Sequence, residues 1–149
     1  MVWKGDYNLK QSFVYATNQV EFIHRWKDAP EEVAYLRNLH RHIAHIKTQI
    51  EVFHEDREIE FIMLKHRVQN YIEKVVYEDN CSCEKLADML LCYLQDNYGK
   101  DRDIIITVSE DNENGVELVY RKEKTDAKNL EGSRDGGYQH WYNEFIRVQ

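Results

Sequence analysis

Apolar and polar residues alternate with a period of two through residues 40–52, HRHIAHIKTQIEV. One face carries His40, His42, Ala44, Ile46, Thr48, Ile50 and Val52, and the other Arg41, Ile43, His45, Lys47, Gln49 and Glu51. That is the pattern of a half-buried strand. Residues 12–24, SFVYATNQVEFIH, set Phe13, Val14, Val20, Phe22 and Ile23 among polar neighbours and predict a second strand. In a regular strand His24 points to the same face as Val20 and Phe22. The intervening RWKDAPEEVAYLRN predicts a loop in which Pro30, Glu31 and Glu32 open a short helical turn. After residue 52, HEDR (54–57) predicts a turn and EIEFI (58–62) a short strand that completes a hairpin.

The period then changes. Leu64, Val68, Tyr71, Ile72, Val75 and Val76 recur at three and four residues, which predicts an amphipathic helix over 63–77. A second helix is expected over 83–98, with the stripe Leu86, Met89, Leu90, Tyr93 and Leu94. Ser82 is its expected N-cap, Glu84 suits the positive end of its dipole, and Gly99 suits a left-handed C-terminus. Two more strands, DIIITVSE (103–110) and GVELVYR (115–121), flank the turn DNEN. Strands grouped apart from helices predict an α+β layer, with helices on one face of an antiparallel sheet. The other face also needs cover, and assembly with further copies of the chain would supply it.

The 149 residues make one domain, long enough to bury about 68–70% of the unfolded surface. A formal charge of −7 disfavours a nucleic-acid backbone as the main partner. No run approaches the ~18 apolar residues of a membrane span, and MVWKGDYNLK lacks the apolar core of a signal peptide. Cys81, Cys83 and Cys92 form no paired framework, so a reducing cytoplasm is the expected compartment. The C-x-C pair at 81 and 83 reads either as half of a metal site or as the start of a helix.

The histidines carry the candidate chemistry. Residues i and i+2 of a strand project from one face ~6–7 Å apart, so His40 and His42 can converge on one ion. His45 lies on the opposite face. Zinc needs three or four N, O or S ligands, and His24 has the parity to supply a third from the neighbouring strand. The alternative is a pair of exposed histidines on an edge strand.

Taken in order, FIHRW, HRHIAHIKTQIEV, EFIMLK, NCSCEKLADML and VSEDNENGVELVY resemble the 6-pyruvoyltetrahydropterin synthases and the related 6-carboxytetrahydropterin synthases of deazapurine biosynthesis. Their pattern is a strand ending in histidine, H-G-H on the next strand, D-F-x-x-L-K opening a helix, P-T-x-E-N opening the second helix, and a strand ending in glutamate. The likeness spans about 12–121, which makes 1–121 the family-like domain and 122–149 a C-terminal extension. It implies a tunnelling fold: a four-stranded antiparallel sheet with two helices on one face, whose subunits join sheets into a barrel with ligand sites at their interfaces. It also implies zinc held by His24, His40 and His42. Glu110 falls on the family glutamate that grips the 2-amino-4-oxo edge of a pterin. A carboxylate can accept two N–H bonds from such an edge, and Glu110 shares a face with Ile104, Ile106 and Val108. The alternative for Glu110 is an ordinary turn acid.

The departures concern proton transfer. Leu36 stands where the family has its basic cysteine, four residues before H-G-H, and Arg37 stands where a variant has glutamate. The family's Asp-His pair has no counterpart in VVYEDNCSC, where only Asp79 is near. Arg41 replaces the glycine of H-G-H. Proton shuffling on a pterin side chain needs groups that donate and accept within hydrogen-bond reach, and two are gone.

Three functions follow. One is a divergent zinc enzyme acting on a pterin, deazapurine or purine nucleotide, with zinc-bound water or His140 for proton work and Lys65, Arg57, Arg41 or Lys47 for phosphates. The second is a binding protein that holds or sequesters a purine-like nucleotide without turnover. The third is a structural homo-oligomer in which the histidines are incidental. Tyr138, Trp141, Tyr142 and Phe145 of the extension would cover the pocket or pad the sheet, with Gly132, Gly136 and Gly137 as hinges.

Overall fold

The computed structural model describes residues 10–76 and 81–123. Asp79, His140 and the aromatic residues of the extension lie outside the described residues. Four strands, β1 (Ser12–His24), β2 (His40–Val52), β3 (Ile104–Glu110) and β4 (Asn114–Tyr120), form an antiparallel sheet in the order β1-β2-β3-β4. Two α-helices, α1 (Phe61–Val75) and α2 (Cys83–Tyr98), complete an α+β fold, with a 3₁₀ helix over Glu31–Arg37 between β1 and β2. The sheet is open, with β1 and β4 at its edges.

The period-two pattern explains how the layers meet. The even-numbered residues Ala44, Ile46 and Ile50 of β2 and Ile104, Ile106 and Val108 of β3 are buried. They join Leu64, Val68 and Ile72 of α1 and Leu86, Leu90 and Leu94 of α2 in one core. Helix α1 lies against β1, and α2 against β3 and β4. Each fully buried aliphatic side chain contributes about 1.5–3 kcal/mol, so these contacts outweigh helix propensity in holding the layers together. Asn18 is a polar exception on the buried face. Its amide donates to the Lys65 carbonyl and to Gln69, which fixes α1 on β1. On the odd-numbered face, Tyr15, Ile23 and Val119 stay exposed.

Most expected bounds match the structure. Helix α2 spans 83–98, with the Ser82 hydroxyl accepting from the Lys85 amide and Gly99 at a φ of 95° ending it. The 3₁₀ helix begins after Pro30. The expected strand over 58–62 does not form, and with it goes the hairpin. There the acids take local partners: the Glu60 side chain caps α1 by accepting from the Met63 amide, and Glu58 accepts from the Phe53 and His54 amides. Helix α1 therefore starts at Phe61, and it ends at Val75 rather than 77.

At the end of the sheet remote from the histidines, a second polar group closes the fold. Buried Glu51 accepts from the Asp103 amide, the Lys122 ammonium and Gln11. Buried Asp103 accepts from Gln11, Arg121 and the Lys122 amide. These contacts gather the chain before β1, the end of β2, the residue before β3 and the chain after β4.

Candidate metal centre

Strand register brings the histidines together. His24 pairs directly with His40, and Phe22 with His42, so the three rings share the helix-covered face at one end of the sheet. Their ligand atoms all lie within 4.8 Å of one another, close enough to bind a metal ion. Ring centroids are 4.6 Å apart for His24–His40, 5.0 Å for His40–His42 and 5.3 Å for His24–His42, each pair edge-on. Phe22, 3% exposed, lies 4.5 Å from the His24 ring and 6.0 Å from that of His42.

Each ring is held through Nδ1. His24 Nδ1–H donates to the Cys81 carbonyl at 2.9 Å, His40 Nδ1–H to the Asn38 carbonyl at 2.8 Å, and His42 Nδ1–H to Asp111 Oδ2 at 2.6 Å. Carbonyls and carboxylates only accept, so the proton belongs on Nδ1 and each neutral ring presents a bare Nε2. The Nε2 atoms of His24 and His42 are buried without a hydrogen-bond partner among the described residues.

Glu110, opposite Ala44 on β2, reaches the same place. Its Oε1 lies 3.2 Å from His24 Nε2 and its Oε2 3.6 Å from His42 Nε2. Carboxylate oxygens facing nitrogen lone pairs repel one another. A proton on either Nε2 would relieve this through a hydrogen bond, but neither contact has that geometry. A cation held among the nitrogens relieves it at all of them. Three converging imidazole nitrogens beside a carboxylate make a donor set of the kind that binds a divalent transition-metal ion.

Two neighbours were not apparent from sequence. Cys83, buried at the first position of α2, donates its S–H to Glu110 Oε1 at 3.9 Å. Burial, and then the Glu110 charge, push its thiol up to about 12, so it stays protonated at neutral pH. None of the three cysteines is disulfide-bonded, and neither cysteine of the C-x-C pair joins the histidine cluster. Asp111, the first residue of the expected turn DNEN, touches the opposite side of His42. The one sequence signal for it is an acid directly after the strand that carries Glu110.

The remaining candidates are held elsewhere. Arg37 donates to the Ala29 carbonyl and to Glu31, and the Leu36 carbonyl accepts from the Trp26 amide. On the other face Arg41 pairs with Glu21 at 2.7 Å, and Lys47 lies over the Tyr15 ring. His45, on that face too, lines a cleft of about 580 Å³ with Thr17, Lys47, Lys65 and Ser109, apart from the histidine cluster. Among the described residues no helix is long and apolar enough to cross a membrane. Neither a scan against protein-family models nor a search of curated proteins finds a match.

Proposed function

We propose that the protein is a zinc protein of divergent 6-pyruvoyltetrahydropterin synthase type, acting on a pterin, deazapurine or purine nucleotide at a subunit interface. The observation that carries this reading is the convergence of His24, His40 and His42, their ligand atoms within 4.8 Å of one another, beside the Glu110 carboxylate. Zinc bound there would polarise an oxygen of the ligand. His24, His40 and His42 would hold the metal, and Glu110 would take the amino and ring N–H groups of the heterocycle with its two oxygens. To do so, the carboxylate exchanges its imidazole neighbours for the ligand's donors. The open edges of β1 and β4 support joining of sheets between copies, which would wall the site from a second side.

A second reading is retention of the ligand without turnover, and Cys83 favours it. The thiol nearest the site is protonated at neutral pH rather than poised as a thiolate base, and Leu36 offers no proton-transfer group. The two readings separate in one experiment. Protein purified without chelator is analysed for co-purifying small molecules by mass spectrometry, then incubated with pterin and purine triphosphates. Consumption of one of them supports the enzyme. A retained, unaltered heterocycle supports the binding protein. Neither binding nor consumption of any such compound would reject both.

A further inference from the structure

We propose that Asp111 is a positioning residue that locks His42 in its metal-binding form, an inference that rests on the metal reading above. Of the three rings, His42 alone has an ionic partner on Nδ1, since His24 and His40 donate to main-chain carbonyls. A carboxylate behind a ligating imidazole fixes its tautomer and orientation and raises the basicity of the other nitrogen.

The chain spends conformational energy to put Asp111 there. Asp111 and Asn112 have φ values of 51° and 61°, two successive left-handed residues that are not glycine. Asp and Asn tolerate this region better than other residues. The turn is closed by the Glu113 amide donating to the Glu110 carbonyl at 2.9 Å. It aims the carboxylate back at β2, where Oδ1 accepts from the Ile43 amide at 2.9 Å and Oδ2 from His42 Nδ1–H at 2.6 Å. The Asp111 amide in turn donates to the Ile43 carbonyl at 2.8 Å, so its position is tied to the residue next to His42.

Both oxygens therefore face donors, and this makes asparagine an informative replacement. Asn has one acceptor oxygen and one NH₂ group, so one donor must meet another donor. If the NH₂ faces His42, Nδ1 has to accept, the ring proton moves to Nε2, and the atom aimed at the metal can no longer bind it. If it faces Ile43, the turn loses its hold on β2. Glu110 and Asp111 thus act on opposite sides of His42, the first toward the ligand and the second toward the protein.

The test reads tautomers and affinity together. Long-range ¹⁵N–¹H spectra of the imidazoles are recorded for metal-free wild type at mildly alkaline pH, where histidine is largely neutral. Zinc affinity is measured by competition with a chromophoric chelator for wild type and Asp111→Asn. The expected results are the Nδ1–H form of His42 in wild type, and in Asp111→Asn a shift toward the Nε2–H form, with His24 and His40 unchanged. Zinc affinity should fall by about 10–100-fold. An Nε2–H His42 in wild type overturns the proposal and needs no variant to fold. Unchanged affinity in a folded Asp111→Asn also overturns it. Wild type that takes up no zinc sinks the metal reading instead, while its own spectrum still decides whether Asp111 fixes the tautomer.

Discussion

His24 Nδ1–H donates to the carbonyl of Cys81 over 2.9 Å, although the two residues are 57 positions apart. One ring of the cluster, at the end of β1, is thus oriented by the residue just before the N-cap of α2. The Ser82 hydroxyl caps that helix by accepting from the Lys85 amide at 3.1 Å. Replacing Ser82 with alanine is expected to cost about 1 kcal/mol in denaturant unfolding. It should also weaken zinc binding by a few fold in chelator competition, because loosening the helix start loosens the His24 anchor. A stability loss with unchanged zinc affinity would mean that His24 is oriented without the help of α2.

Gly115 sets the approach of β4 to β3. A Cβ at this position would fall 2.0 Å from the Val108 carbonyl oxygen and 2.5 Å from Ser109 Cα, both main-chain atoms that cannot step aside. Gly115→Ala should therefore push the strands apart beside the turn that carries Glu110 and Asp111. Expected outcomes are a loss of about 2 kcal/mol or more in unfolding free energy and a drop in zinc affinity. A variant as stable as wild type would show that the hairpin adjusts without strain.

The polar group at the far end of the sheet is structural. Truncating Glu51 to alanine removes the acceptor of the Asp103 amide, Lys122 and Gln11 at once. The expected cost is about 2–3 kcal/mol in urea unfolding, because buried donors are left unsatisfied. Zinc affinity should stay within a factor of two of wild type, since the histidines lie at the opposite end of β2. A large loss of zinc affinity in the folded variant would contradict this separation.

The same end of the molecule predicts an acid response. Arg102, followed by the Phe53 amide, holds the Glu58 carboxyl down to about 2. Burial alone would raise Glu51 and Asp103, but hydrogen bonds outweigh it: from the Asp103 amide and Lys122 to Glu51, and from Arg121 and the Lys122 amide to Asp103. Both carboxyls end below their usual values. The folded state therefore binds fewer protons than the unfolded state between these values and the ordinary range near 4. The stabilisation is present above about pH 4 and is lost as pH falls toward 2. Urea midpoints measured across this window should drop steeply in wild type and less steeply in Glu58→Gln. Parallel profiles would rule out Glu58 as a contributor.

How far the sequence could be read follows from which forces acted locally. The alternation of β2 survives folding because one face is buried under helices, and that parity alone puts His40 and His42 on one side and His45 on the other. The ends of α2 were legible because Ser82 and Gly99 act within a few residues of the helix. Residues 58–62 misled because Glu58 and Glu60 find amide partners beside them, which overrides a short apolar alternation. Asp111 and Cys83 were hidden for a different reason. Their roles arise from a left-handed turn and from contact between α2 and β3, neither of which has a period along the chain.

The central claim is that His24, His40 and His42 bind one metal ion. The most direct measurement is zinc per chain by elemental analysis of protein prepared without chelator, repeated on His40→Ala and His42→Ala. The account predicts close to one zinc per chain in wild type and loss of it in both folded variants. Wild type without zinc even after zinc is supplied, or variants that keep the wild-type content, would contradict it.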